Sequence, residues 1–132
     1  MIEKLPDGIF GIASRLNFEE TVEFLVRNLN DNEFEVFTVI DHTSAAANVS
    51  MKLRPTTVII FGNPSRGTLL MDQSETVGID LPSKILVIET PKGTSVYFST
   101  LEFVIQRHGL ISMNNDARLF DSRIKGLLNQ LL

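Results

Sequence analysis

Cysteine is absent from the 132-residue chain. Its absence excludes a disulfide framework, a thiolate metal site and a cysteine nucleophile. Long apolar runs are missing as well, and none approaches the roughly 18 residues that indicate a membrane-spanning helix. The first residues lack the basic segment and apolar run of a secretory signal. Together these absences predict a cytoplasmic protein with no membrane partner.

Positive charge is scarce, with 12 basic against 16 acidic side chains and a net charge of −4. The basic residues form no stripe, so neither nucleic acid nor an anionic membrane is an expected partner. The chain has two histidines, His42 and His108. Their spacing from the carboxylates of Asp41, Asp80 and Glu102 matches no known ligand pattern, so we expect no metal and no cofactor.

The remaining composition is that of a folded protein, with 43% hydrophobic and 21% charged residues. A chain of 14.8 kDa buries about two thirds of its surface on folding. This amount of burial provides one hydrophobic core and is too small for two. We therefore expect a single domain over residues 1–132, and we find no internal repeat or linker.

Two long amphipathic helices are predicted, one near each end of the chain. Asn17 followed by Glu20 forms a capping-box pattern, and an apolar stripe covers 18–29. A second stripe covers 117–131. Gly126 interrupts this stripe at a cost of about 1 kcal/mol relative to alanine, which predicts close packing at that position.

Five short runs rich in β-branched and aromatic residues predict strands. They cover 9–14, 35–40, 56–61, 84–90 and 94–99. Pro91-Lys92-Gly93 has the chemistry of a hairpin turn between the last two. Long helices near both ends of the chain, together with an antiparallel hairpin, predict an α+β fold in which the two long helices cover one face of an antiparallel sheet.

Shorter elements are expected between the strands. A cap at Thr43 or Ser44 predicts a short helix over 45–47, and a cap at Thr68 predicts another over 69–71. The segment 77–82 is expected to be extended and irregular. A further helix over 101–108 is expected to stop at Gly109, whose backbone tolerates the conformations that end helices.

The loop Gly62-Asn63-Pro64-Ser65-Arg66-Gly67-Thr68 has the glycine spacing of a phosphate-binding loop. Thr68 and Leu69 stand where the essential lysine and hydroxyl residue would be, so nucleotide hydrolysis is excluded. Two interpretations stay open. The loop is a turn in which Gly62 needs unusual dihedral angles, or it binds an anion or small ligand at a helix N-terminus.

Six polar residues at strand boundaries are the candidate ligand-binding residues: Asp41, His42, Arg54, Asn63, Arg66 and Asp80. We expect His42, Arg54, Asn63 and Asp80 to converge at one end of the sheet, because loops at strand ends commonly present binding groups. Asp80 is expected to pair with Arg54, Arg66 or backbone N–H groups.

Three functions remain open at this point. The first is a small module with a polar pocket for a small anionic ligand. The second is an enzyme in which His42 is the general acid or base and Arg54 or Arg66 holds an anionic substrate. The third is a purely structural interaction protein, in which these motifs only shape turns.

Several motifs also occur together in the order of a known family. They are Ile40-Asp41-His42, Leu53-Arg54-Pro55-Thr56, Phe61-Gly62-Asn63-Pro64, Gly67-Thr68, Leu70-Met71 and Gly78-Ile79-Asp80-Leu81-Pro82. Over about 8–100 the chain resembles the domain-of-unknown-function family 302, and the segment beyond residue 100 matches no motif of it. The resemblance implies a β-α-β(4)-α fold similar to one repeat of the TATA-binding protein, and a homodimer. It implies no established activity.

Overall fold

The computed structural model describes residues 4–132. Five strands form one sheet in the order β1-β5-β4-β3-β2, and every neighbouring pair is antiparallel. The strands are β1 (Ile9–Ser14), β2 (Glu35–Asp41), β3 (Thr56–Gly62), β4 (Ser83–Thr90) and β5 (Gly93–Ser99). The edge strand β1 pairs with β5, so that Phe10 lies opposite Phe98. The predicted α+β fold with an antiparallel sheet is therefore confirmed.

Five helices connect or follow these strands. They are α1 (Phe18–Asp31), α2 (His42–Asn48), α3 (Pro64–Gln73), α4 (Leu101–Arg107) and α5 (Asn114–Asn129). Two short 3₁₀ turns cover Val77–Asp80 and Ile111–Met113. The expected capping box of α1 is present, since the Glu20 N–H donates to Asn17 Oδ1 at 2.8 Å and the Asn17 N–H donates to Glu20 Oε1 at 3.2 Å.

The core lies on one face of the sheet, beneath the long helices. α1 contributes the fully buried Leu25 and Leu29. Four aromatic rings fill the centre, with neighbouring ring centroids 5.5 to 6.5 Å apart. They belong to Phe34, Phe61, Phe98 and Phe120. The apolar stripes of the two long helices therefore pack where the sequence predicts them to pack.

The short elements differ from the sequence predictions in where they begin. α3 begins at Pro64 and is capped by Asn63 rather than Thr68, because proline fits the first helical position and lacks the N–H that would be unpaired there. α2 is capped by Asp41 rather than Thr43 or Ser44. The segment predicted as extended forms the 3₁₀ turn Val77–Asp80, and α5 begins at Asn114.

Two expectations about glycine are wrong. Gly62 has no positive φ, and an added Cβ would meet Phe37 and Pro82 at the ordinary contact distances of 3.6 and 3.7 Å. No heavy atom lies within 4 Å of a Cβ built at Gly126, which is exposed on α5. Neither glycine is therefore required by backbone strain or by close packing. Gly109, with φ +70°, does end α4 as expected.

Candidate ligand pocket

The six candidate residues lie at two opposite ends of the sheet. Arg54 precedes β3 and Asn63 follows it, so the length of the strand, roughly 20 Å, separates them. His42 lies at the same end as Arg54, because Asp41 pairs with Thr57. The expected convergence of the four polar side chains on one end is therefore wrong. It fails because Arg54 and Asn63 flank the same strand, and the two ends of a strand lie at opposite ends of the sheet.

The end that carries Asp41, His42 and Arg54 is held together by turn chemistry. Asp41 accepts hydrogen bonds from the Ser44 N–H at 3.0 Å and the Ser44 hydroxyl at 2.8 Å, and these bonds hold the pKa of Asp41 below its ordinary value. The Thr43 hydroxyl donates to the Arg54 carbonyl at 3.0 Å. His42 is exposed at the first position of α2. These contacts fasten α2 to the start of β3.

Asp80 pairs with neither Arg54 nor Arg66, which corrects the expectation. Its carboxylate accepts two hydrogen bonds from Arg107 Nη1, at 2.8 and 2.9 Å, and one from His108 Nε2 at 2.5 Å. The His108 hydrogen bond, together with the charge of Arg107, holds the pKa of Asp80 below its ordinary value, although burial opposes this shift. Both partners lie at the end of α4, 27 and 28 residues further along the chain.

His108 also contacts the hydroxyl of Thr76, through Nδ1 at 2.7 Å. Thr76, His108 and Asp80 thus follow the hydroxyl–imidazole–carboxylate order of a nucleophilic triad. The carboxylate, however, is also held by Arg107, and the three cavities described below include neither Thr76 nor His108. The cluster is therefore a clip that joins the 3₁₀ turn Val77–Asp80 to the end of α4.

Asp80→Asn is expected to lower the free energy of unfolding by about 1–2 kcal/mol at neutral pH. The loss is small for a charged pair, because Arg107 is 58% exposed and stays hydrated without its partner. A folded-state pKa below 3.8 gives stability that is present above this value and lost as the pH falls through the folded pKa. Urea unfolding of both proteins should therefore show the difference shrinking toward about pH 3.

Asp116→Asn is the matched control for this experiment. Asp116 is a half-exposed acid whose nearest basic atom, Arg66 Nη1, lies 3.9 Å from Oδ1. The control should follow the wild-type pH dependence. An Asp80→Asn difference that stays constant down to about pH 3 would show that the carboxylate charge contributes nothing to the clip.

The opposite end of the sheet contains a cavity of about 320 Å³ between α3, β2 and the start of β4. Apolar side chains form most of its wall. These are Phe37, Pro64, Leu70, Met71, Leu81, Pro82, Leu101 and Phe120. Asn63, Arg66, Thr68 and Ser83 complete the wall together with Gly62 and Gly67, and Arg66 is the one charged residue among them. Two further cavities lie beside Asp7 and Phe103 and between Arg66 and Met113.

The N-terminus of α3 has no backbone N–H left for a phosphate. Asn63 Oδ1 accepts from the N–H groups of Ser65 at 3.1 Å and Arg66 at 3.2 Å. The Asn63 carbonyl accepts from the Gly67 N–H at 2.9 Å. Because Pro64 has no N–H, the first turn of α3 is already satisfied. The loop therefore lacks the backbone donors that make a phosphate-binding loop.

Ser83 and Arg66 supply the unused polar groups of this cavity. Ser83 is 8% exposed, and its side chain shares the helix-covered face of β4 with Ile85 and Val87. Within residues 4–132 its hydroxyl makes no side-chain hydrogen bond, and neither does the guanidinium of Arg66. Both side chains can therefore bond to a polar atom of a ligand in the cavity.

The wall residues outside the Gly62–Thr68 loop were missed by sequence reasoning. Phe37, Ser83, Leu101 and Phe120 come from separate elements, and only the tertiary fold brings them together. One local signal was available, because Asn63 followed by Pro64 is the pattern of an N-cap and a first helical residue. In the described part of the chain, no group of three or more histidines and acids is arranged to hold a metal ion.

Curated relatives share part of their length with this chain. Two proteins named fluoride-specific ion channel FluC 1, from Brucella suis and Brucella abortus, are each 35% identical to it over 112 residues. A protein named fluoride-specific ion channel FluC 2, from Brucella melitensis, matches equally well. The match covers 83% of this chain but only 41 to 44% of theirs. Among residues 4–132, no helix has the length and apolarity needed to cross a membrane.

A solved structure shares the fold. The crystal structure of the uncharacterized conserved protein DUF302 from Bacillus stearothermophilus superposes with a TM-score of 0.86 at 16% identity. The superposition covers 96% of this chain and 100% of the chain in that crystal structure. A family model also matches residues 10–131, including the segment beyond residue 100 for which the sequence motifs gave no match. The chain belongs to the family described as Domain of unknown function DUF302.

Proposed function

We propose that this chain binds a small, mainly apolar molecule in the cavity beside α3. The observation that carries the proposal is a cavity of about 320 Å³ with mainly apolar walls and a few polar side chains, among them Ser83 and Arg66. Ligand sites in proteins are typically concave and apolar, with a few polar groups that orient the ligand. This proposal replaces a polar pocket built from all six candidate residues, of which only Asn63 and Arg66 line the cavity.

Binding is better supported than catalysis by His42. His42 and Arg54 lie at the end of the sheet opposite the cavity, whereas Arg66 lines the cavity. A general acid or base must reach the proton that it transfers, within hydrogen-bond distance or through one water molecule. A substrate held by Arg66 would lie roughly the length of β3 away from His42. The enzyme alternative with this pair of residues therefore has no shared site.

The ligand is not the fluoride ion of the channel relatives. Fluoride is small and strongly hydrated, and an apolar wall with one cationic side chain does not replace its hydration shell. Sodium fluoride should accordingly displace no more of a cavity probe than sodium chloride does.

The neutral fluorophore N-phenylnaphthylamine tests the proposal, because its emission rises when it enters an apolar site. We expect saturable binding with one molecule per chain. Gly62→Val should weaken this binding about tenfold or more, since the added side chain projects toward Phe37 and Pro82 in the cavity wall. Gly126→Ala is the matched control, because a methyl group there touches nothing.

Two results would contradict the proposal. One is the absence of saturable probe binding to the wild-type chain. The other is a Gly62→Val variant that keeps its melting temperature and binds the probe as tightly as the Gly126→Ala control. Gly62→Val is expected to fold, because a Cβ at Gly62 makes only ordinary contacts and φ is not positive.

We also propose that the chain forms a homodimer in the cytoplasm. Its support is an exposed apolar area on one edge of the sheet, which we call the edge patch. The edge patch comprises Phe37, Val39, Ile40, Val49, Met51 and Leu53, with exposures of 39 to 67%. Contiguous exposed apolar areas commonly mark protein interfaces. A second copy of the chain would cover the patch and give a particle of 2 × 14.8 = 29.6 kDa.

Light scattering measures this mass directly. Met51→Asp places a charge in the edge patch and should reduce the particle to 14.8 kDa without unfolding it, since Met51 is 65% exposed. Ile79→Asp is the control, because Ile79 is 78% exposed but lies outside the patch. A wild-type particle of 14.8 kDa would contradict the dimer.

A further inference from the structure

We infer that the ligand of the α3 cavity is an amphiphile, with an apolar body and one terminal carboxylate or similar monoanion that Arg66 binds. The inference rests on the proposed function and specifies the class of ligand. It depends on Arg66 as the single charged residue of the cavity wall and on the two unused N–H donors of Asn63 Nδ2 in the same wall. It also depends on the absence of any acidic residue from that wall.

Arg66 is placed to bind an anion at the mouth of the cavity. It lies in the first turn of α3, which contains no acidic residue, so the positive end of the helix dipole adds to its charge. Within residues 4–132 its guanidinium makes no hydrogen bond, and the nearest carboxylate atom is Asp116 Oδ1 at 3.9 Å. Its side chain is 50% exposed, so an anion reaches it without a change in the fold.

Asn63 offers a second donor in the same wall. Its Oδ1 accepts the two N–H groups of the first turn of α3, which commits the oxygen to capping. Its Nδ2 group makes no hydrogen bond within residues 4–132 and has two N–H donors. A carboxylate has two acceptor oxygens, which suits the planar fork of a guanidinium with an amide beside it.

The volume and the apolar wall of the cavity determine the size and the apolar character of the ligand body. The cavity volume of about 320 Å³ lies at the lower end of the range of about 300–1,000 Å³ that is typical of small-molecule sites. Phe37, Leu81 and Phe120 present apolar surface to this body. A cationic amphiphile of the same length would be repelled by the charge of Arg66, and a neutral one would accept hydrogen bonds from it without an opposite charge. The anionic form should therefore bind most tightly.

Three eight-carbon compounds test the inference by displacement of N-phenylnaphthylamine: octanoate, octanol and octylamine. We expect octanoate to bind about tenfold more tightly than octanol, the gain of one charge-assisted hydrogen-bonded pair, and octylamine to bind most weakly. Arg66→Gln should remove the preference for octanoate, so that octanoate and octanol bind to this variant with equal affinity. Arg54→Gln, at the opposite end of the sheet, should leave all three affinities unchanged.

Asn63→Asp provides a second, more specific test. Aspartate caps helices as well as asparagine does, so α3 should be retained. The substitution replaces the amide donors by a negative charge beside the expected carboxylate. Octanoate should therefore bind more weakly to this variant than octanol does, which reverses the wild-type order.

The outcomes separate this inference from the proposed function. Absence of saturable probe binding overturns the proposed function and the inference with it. Probe binding that Gly62→Val abolishes, with equal affinities for octanoate and octanol, supports the cavity as a site and overturns only the inference. A preference for octanoate that survives Arg66→Gln also overturns it.

Discussion

Phe61→Ala is expected to lower the free energy of unfolding by about 4 kcal/mol, the largest effect of any substitution considered. Phe61 is fully buried on β3. Its ring centroid lies 5.9 Å from Phe34, 6.4 Å from Phe98 and 6.2 Å from Phe120, where it is stacked. Removal of the ring leaves a cavity at the point where the sheet and α5 meet. Urea denaturation measures the loss.

Leu119→Ala is the control for this substitution. Leu119 lies on α5 beside Phe120 but is 63% exposed, so truncation should cost no more than about 1 kcal/mol. Comparable losses for the two variants would show that the four rings do not form the centre of the core.

Asp121→Ala is expected to cost about 3 kcal/mol, because it leaves two backbone donors without a partner. Asp121 lies on α5 and is 4% exposed. Its carboxylate accepts hydrogen bonds from the N–H groups of Leu101 at 2.8 Å and Glu102 at 3.0 Å, at the start of α4. Burial raises the pKa of Asp121, whereas these two donors oppose the shift. One side chain thus joins the two helices.

Asp121→Asn and Asp116→Ala test the cause of this loss. An amide in place of the carboxylate keeps one acceptor oxygen, so Asp121→Asn should cost less than Asp121→Ala. Asp116 lies on the same helix but is half exposed, and its removal should be nearly neutral. Equal stability of Asp121→Ala and Asp116→Ala would mean that the start of α4 does not depend on the buried carboxylate.

Local sequence signals predicted the fold well because its main determinants are local. The capping box of Asn17 and Glu20 lies within one helical turn, and the apolar stripes of α1 and α5 follow the helical period. Gly109 ends α4 with a positive φ. The start of α3 was misplaced because Gly67 and Thr68 suggested a longer turn, although Asn63 and Pro64 form a complete helix start.

The site was harder to predict because its parts are distant in sequence. Residues before and after one strand lie at opposite ends of a sheet, so the expected convergence of Arg54 and Asn63 conflicts with the strand predicted between them. The partners of Asp80 are the last residue of α4, Arg107, and its C-cap, His108, and no local sequence pattern links them to Asp80. Backbone N–H groups were one set of partners expected for Asp80, but the carboxylate that accepts from them is that of Asp121, which tertiary packing buries.

The pairing of β1 with β5 has a consequence for the order in which the chain folds. Phe10 and Phe98 lie opposite each other although 98 − 10 = 88 residues separate them, whereas β4 and β5 are joined by a short turn. Closing the longer loop costs more chain entropy before any contact compensates for it. We therefore expect the β4–β5 hairpin to form early and β1 to join the sheet late, which makes folding slower than for a helical protein of this size.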